Sequence, residues 1–169
     1  MSDMRIDHIQ ITEMNASDWS AVARIYQEGI DTKIATFQNT IPTWDEWDKG
    51  HITSCRLVAK EDDQVIGWAA LSPVSGRCVY AGVAEVSVYV SGEHRGKNIG
   101  VKLLEALISQ SESKGFWTLQ SGILRENVAS IKLHEKCGFR IVGYREKLGQ
   151  MDNGKWHDVM LLERRSPLK

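Results

Sequence analysis

The chain reads as a mixed α+β domain, a twisted sheet of about six to seven strands flanked by about four helices. Three observations point there. Short alternating apolar stretches recur along the whole chain, which is the period of half-buried strands. Four segments instead carry apolar residues at helical spacing with capping residues ahead of them. The resulting order, β-α-α-β-β-β-α-β-α-β-β, neither alternates throughout nor separates its helices from its strands, so a mixed sheet with helices on both faces follows.

Taken in order, Ile6 to Met14 alternates through Ile9 and Ile11 and predicts the first strand. Ser17 or Asp18 caps a helix whose Trp19, Val22, Ile25, Tyr26 and Ile30 share one face. The polar stretch from Thr32 to Thr40 lacks periodicity and predicts a loop that ends at Pro42. Thr43-Trp44-Asp45-Glu46 has the capping-box pattern and opens a second helix near Trp47. Leu57 to Glu61 and Val65 to Leu71 predict two strands joined across Asp62-Asp63-Gln64. A loop holding Pro73, Gly76 and Gly82 follows. Glu85 to Val90 is the next strand, with Val86, Val88 and Val90 on one face and Glu85, Ser87 and Tyr89 on the other. A helix then aligns Ile99, Leu103, Leu104, Leu107 and Ile108 and stops at Gly115. Trp117 to Leu124 predicts a strand and Asn127 to Cys137 a helix ended by Gly138. Two final strands, Arg140 to Leu148 and Trp156 to Glu163, flank a Met151-Asp152-Asn153-Gly154 turn.

A chain of 169 residues is most simply one domain over its whole length, and long enough for a substantial core. A net charge of -1 gives no bulk attraction to nucleic acid or an anionic membrane. No apolar run approaches the roughly eighteen residues that a membrane span needs. The start of the chain carries Asp3, Arg5, Asp7 and His8 rather than an apolar signal core. Three cysteines without metal-type spacing read as reduced thiols, so the expectation is a cytoplasmic protein with no metal.

The most informative run is His94-Arg95-Gly96-Lys97-Asn98-Ile99-Gly100-Val101-Lys102-Leu103-Leu104, a glycine loop between a strand and a helix. The first N–H groups of a helix have no intrahelical partner, and the helix dipole adds partial positive charge there. Gly96 and Gly100 keep side chains out of the way, while Arg95 and Lys97 add full charges. The pattern predicts a pyrophosphate cradle. It is neither a Walker loop nor the dinucleotide fingerprint, since both require different glycine spacing.

These residues, together with Asn127-Val128-Ala129-Ser130-Ile131-Lys132-Leu133-His134-Glu135-Lys136-Cys137-Gly138-Phe139, resemble two motifs of the GCN5-related N-acetyltransferase (GNAT) superfamily. The first is Arg or Gln, two residues, Gly, one residue, then Gly or Ala. Arg95 and Gly100 match it, and Asn98 stands at the middle glycine, where asparagine tolerates left-handed backbone better than other side chains. In the second motif His134 replaces the usual tyrosine. Ala35-Thr36-Phe37, Arg77 with Tyr80, Glu85 to Val90, His134 and Lys155-Trp156-His157-Asp158-Val159 are further similar to the phosphinothricin and methionine sulfone acetyltransferase branch.

The resemblance implies the acyl-CoA N-acyltransferase fold and acetyl transfer from acetyl-CoA to the α-amine of a small amino acid, by direct attack in a ternary complex. It implies cofactor contacts from Val88, Tyr89, Val90, Arg95, Gly96, Lys97, Asn98, Ile99, Gly100, Val101 and Asn127. Glu85 becomes the candidate base for the acceptor ammonium, and His134 the candidate acid or relay toward the departing thiolate. Phe37, Arg77, Tyr80, Glu85, Val86 and Ser87 become the candidate acceptor pocket, with Arg77 suited to a carboxylate. Each has a plainer reading: Glu85 as a solvent-facing carboxylate, His134 as a packed helix residue, Arg77 as a loop charge, Phe37 as core. Trp156, His157 and Asp158 are read chiefly as the start of the last strand. The resemblance also implies a homodimer, which the residues themselves leave open. Two alternatives stay open, a protein amine or polyamine as acceptor and a non-catalytic CoA sensor. Against the first, the Thr32 to Pro42 loop is nearly neutral rather than acidic.

Overall fold

The computed structural model describes residues 8–168. One seven-stranded sheet runs in the order β1-β2-β3-β4-β5-β7-β6. Its strands are β1 Ile9–Glu13, β2 Leu57–Glu61, β3 Gln64–Pro73, β4 Val83–Val90, β5 Thr118–Leu124, β6 Arg140–Gln150 and β7 Trp156–Arg165. The helices are α1 Trp19–Asp31, α2 Trp44–Gly50, α3 Ile99–Ser113 and α4 Val128–Lys136. Every predicted element is present. The part of the first strand expected before residue 8 lies outside the described residues.

The interior strand β3 is buried on both faces from Val65 to Leu71, so each face must be covered. Val22 and Ile25 of α1 and Trp47 of α2 cover one face, packing on Val58, Trp68 and Ala70. Leu103, Leu104 and Leu107 of α3, all 0% exposed, cover the other against Ala59, Ile66, Ala69 and Leu71. Burial of each such leucine contributes about 1.5–3 kcal/mol. Thr43 caps α2 as expected, accepting from the Glu46 backbone N–H at 3.1 Å while Glu46 returns to the Thr43 N–H at 2.9 Å. Asp18 ends a short 3-10 turn, Ala16–Asp18, before α1 and makes no side-chain cap to that helix.

One irregularity positions the functional site. β4 and β5 form the sheet's parallel pair, and their register covers only Val83–Glu85 against Thr118–Gln120. Beyond Glu85 and Gln120 the two strands diverge, and a gap opens in the middle of the sheet. A second irregularity lies at the sheet's other end. The β6–β7 pairing slips between Arg145 and Gly149, with Lys147 at φ 45°. The Asp158 carboxylate accepts the Lys147 backbone N–H at 2.8 Å and holds that bulge.

Candidate active site

The gap between β4 and β5 is the floor of a cleft of about 1410 Å³ that crosses the sheet from one face to the other. Side chains of paired residues on neighbouring strands share a face. Glu85 is paired with Gln120, whose Nε2 donates to Glu85 Oε1 at 3.2 Å. Further along, Gly122 faces Leu161, Leu124 faces Val159, and Val159 faces Arg145. All of these line the cleft, Glu85 half-buried and Arg145 exposed. Phe37, from the loop after α1, closes over the same face. Its ring lies where a Cβ on Gly149 would come within 2.6 Å, so only glycine allows the approach.

The other wall is built by α3 and α4. Asn98 precedes α3 in the left-handed region, φ 61° and ψ 23°, as its place in the motif requires. Gly96, at φ 85°, has no atom within 4 Å of where its Cβ would stand. The first N–H groups of α3 receive no side-chain cap, and Arg95, Gly96, Asn98, Ile99, Gly100 and Val101 border the cleft beside them. Asn127 caps α4, its Oδ1 accepting the Ser130 N–H at 3.2 Å. Val88, Tyr89 and Val90 line the cleft where β4 has left β5. Donors at a helix start, an open glycine, an arginine and a strand edge without a neighbour together fit a chain-like ligand ending in a pyrophosphate.

His134 is 3% exposed, and burial holds its pKa below the ordinary 6.5. Its Nδ1 lies 2.7 Å from the Ser130 carbonyl. A carbonyl only accepts, so Nδ1 carries the hydrogen and neutral Nε2 presents a lone pair. That Nε2 is buried and without a partner among the described residues. His134 lines the cleft, and its ring meets Phe139 edge-on at 5.1 Å.

The structure brings most of the expected site residues to one place and leaves three out. Arg77 and Tyr80 lie on the exposed β3–β4 connection, stacked on each other at 5.8 Å, and border no part of the cleft of their own chain. That connection is exposed from Gly76 to Ala81 before Gly82 is pressed against the Trp117 ring. Lys97 also turns away, its Nζ lying 3.6 Å from Glu61 Oε2. Gly100 has a second purpose besides anion access, since a Cβ there would come 3.1 Å from Leu133 of α4. Sequence reasoning passed over Gln120, Glu126, Arg145 and His51, all of which line the cleft. His51 stacks on Trp47 at 3.9 Å, and burial lowers its pKa. Gln120 and Arg145 reach the site through strand pairing, which leaves no local signal.

Residues 19–139 match the Acetyltransferase (GNAT) family, and the chain belongs to it. The chain is 31% identical to the phosphinothricin N-acetyltransferase of Streptomyces viridochromogenes, covering 92% of this chain and 87% of that one. It is 30% identical to the L-methionine sulfoximine/L-methionine sulfone acetyltransferase of Pseudomonas aeruginosa, covering 90% and 92%. The phosphinothricin acetyltransferase of Sinorhizobium meliloti, solved in complex with AcCoA, superposes with a TM-score of 0.84 at 30% identity, over 94% of this chain and 88% of that one. The protein is an acetyl-CoA-dependent N-acetyltransferase with the GNAT fold.

Proposed function

We propose that the protein transfers acetyl from acetyl-CoA to the α-amine of a small amino acid with a glutamate-like polar side chain, such as methionine sulfoximine, methionine sulfone or phosphinothricin. The observation that carries this reading is one cleft with a helix-start anion cradle on one wall and Glu85 on the other. Acetyl-CoA supplies the activated acetyl group. Arg95 and the uncapped N–H groups of α3 hold its pyrophosphate, and the free edge of β4 from Val88 to Val90 receives the pantetheine amides. Asn127 hydrogen-bonds near the thioester, and a backbone N–H near Val88 meets the oxyanion.

The acceptor stands on the Glu85 face between Phe37 and Ser87, while the Val86 side chain points to the opposite face and packs in the core under α3. Glu85, oriented by Gln120, removes the ammonium proton, directly or through water, so that the amine attacks with both reactants held together. His134, neutral with Nε2 free, accepts a proton from the reacting centre and passes it to the departing sulfur. It acts as a relay rather than as an acid charged beforehand.

Within one chain the acceptor carboxylate falls to Arg145, which has no carboxylate partner among the described residues and lines the cleft. Arg77 and Tyr80 would serve only from a neighbouring copy. A homodimer is supported by the apolar surface of edge strand β6, where Ile141, Val142, Tyr144 and Leu148 are all more than 40% exposed. Free Cys55, Cys78 and Cys137 fit a reducing, cytoplasmic setting.

The test is thiol release from acetyl-CoA with each of the three amino acids in separate reactions. Amine-dependent release with one of them is expected. Acetyl-CoA binding without release for any of them, but release with a peptide or polyamine, would overturn the amino-acid reading.

A further inference from the structure

His157 lines no part of the cleft, yet its buried ring touches both of the cleft's walls. Its side chain is 2% exposed, and Nδ1 lies 2.9 Å from Glu126 Oε1. An ionised carboxylate only accepts, so Nδ1 carries the hydrogen and donates. Glu126 borders the cleft and stands directly before Asn127, the cap of α4. At the same junction the Asn127 N–H donates to the Leu124 carbonyl at 2.9 Å, and the Arg125 N–H donates to the Asp158 carbonyl at 3.0 Å. The Asp158 carboxylate also accepts from Arg125 Nη1 at 3.1 Å. Two successive residues of β7 therefore hold two successive residues of the β5–α4 junction.

The ring's other side faces the acceptor wall. Phe37 meets it edge-on at 6.3 Å, and Gly149, against which Phe37 rests, is the register partner of His157 across β6 and β7. One imidazole is thus hydrogen-bonded to the segment that carries Asn127 and packed under the ring that covers the acceptor.

We propose that His157 is a positioning residue that sets both walls of the cleft, Asn127 through Glu126 and Phe37 through its own ring edge. The inference rests on the acetyl-transfer reading for its kinetic readouts. Its two contacts are chemically different, so they separate by substitution. His157→Asn keeps an N–H donor near the Nδ1 position and removes the ring under Phe37. His157→Phe keeps the ring and removes the donor.

The experiment measures steady-state kinetics in both substrates, equilibrium acetyl-CoA affinity by calorimetry, and Tm, for wild type and both variants. H157N is expected to raise the acceptor KM roughly tenfold and to leave acetyl-CoA affinity near wild type, the size of effect expected from a small displacement of a positioning group. H157F is expected to do the reverse, weakening acetyl-CoA and kcat with little change in acceptor KM. Glu126→Ala severs the same link from its half-exposed end and must reproduce the H157F pattern, which holds the test open should H157F not fold. Loss spread equally over both substrates in step with Tm, or no change in either, would overturn the inference in favour of plain core packing. Wild type that bound acetyl-CoA but acetylated no amino acid would instead fail the functional reading. Acetyl-CoA affinity, lowered in H157F and E126A and kept in H157N, would still decide the role of His157.

Discussion

The two walls of the cleft are made of different material. The wall proposed to receive acetyl-CoA is mainly backbone: the start of α3, the free edge of β4 and the cap of α4. The acceptor wall is mainly side chains, contributed by the loop after α1, by β4 and β5, and by the β6–β7 hairpin. A backbone cradle needs a particular run of residues in one place, and such a run can be read. A side-chain pocket assembled from four segments needs only that they meet, which the chain does not record locally.

The largest expected effect separates the walls by chemistry. Glu85→Gln keeps the hydrogen bond with Gln120 within reach while removing the base. Turnover should fall by roughly 10²–10⁴-fold, the usual contribution of a positioned general base. Acetyl-CoA affinity should remain that of wild type. A neutral-pH rate within about twofold of wild type would remove Glu85 from its role, since no general base would then be lost.

The backbone wall breaks through its dihedrals. Asn98→Val places a β-branched residue at φ 61°, where left-handed backbone costs a non-glycine residue about 1–2 kcal/mol or more. Acetyl-CoA affinity measured by calorimetry should drop by about tenfold, the equivalent of about 1.4 kcal/mol. Asn98→Gly restores the motif and should bind at least as tightly as wild type. Equal affinities for all three chains would mean that the helix start does not hold the pyrophosphate.

On the acceptor wall the contest is between two arginines. Arg145→Ala should raise the acceptor KM by about tenfold, matching the loss of a charged hydrogen bond of about 1.5 kcal/mol. Arg77→Ala removes a solvated side chain that only stacks on Tyr80, so within one chain its effect should stay within about twofold. The opposite ranking would show that the acceptor is held by a second copy, because Arg77 does not reach the cleft of its own chain.

These contrasts explain what was legible. The capping box at Thr43, the helix faces and the asparagine at the left-handed position 98 are local patterns, and each is found where the residues place it. Glu85 was legible as a candidate, but its partner Gln120 lies 35 residues away across the parallel pair. Glu126 and His157 are separated by 31 residues, and the bulge that brings Lys147 to Asp158 arises from a register slip that strand periodicity does not announce. The chemistry of Arg77 suits a carboxylate, but the residue lies outside the cleft of its own chain, and nothing local in the sequence shows that.

The smallest effect is a stability difference that acid should resolve into the same two walls. His134, which lines the cleft, has a pKa pushed below 6.5 by burial, so the unfolded chain takes up its proton first as the pH falls. Stability is full above that value and declines as the pH drops through about 6.5 toward the folded value. Glu126 has a carboxyl pulled below 4.5, chiefly by the hydrogen bond from His157. Its contribution is present above 4.5 and is lost only as the pH falls through its folded value. Tm measured against pH should therefore decline in two stages. His51, lowered in the same direction by burial, overlaps the first stage, so the informative quantity is the difference between wild type and His134→Gln. That difference should shrink between pH 7 and pH 5, because the variant no longer carries the group that resists protonation. Glu112 and Asp158, whose carboxyls hydrogen bonds also pull down, share the second stage, so Glu126→Gln should reduce that stage without abolishing it and leave the first intact. A His134→Gln curve parallel to wild type throughout would mean that folding leaves the His134 pKa unmoved, whereas a difference that grows as the pH falls toward about 6.5 would mean a raised pKa, and His134 would then be an acid charged beforehand rather than a relay.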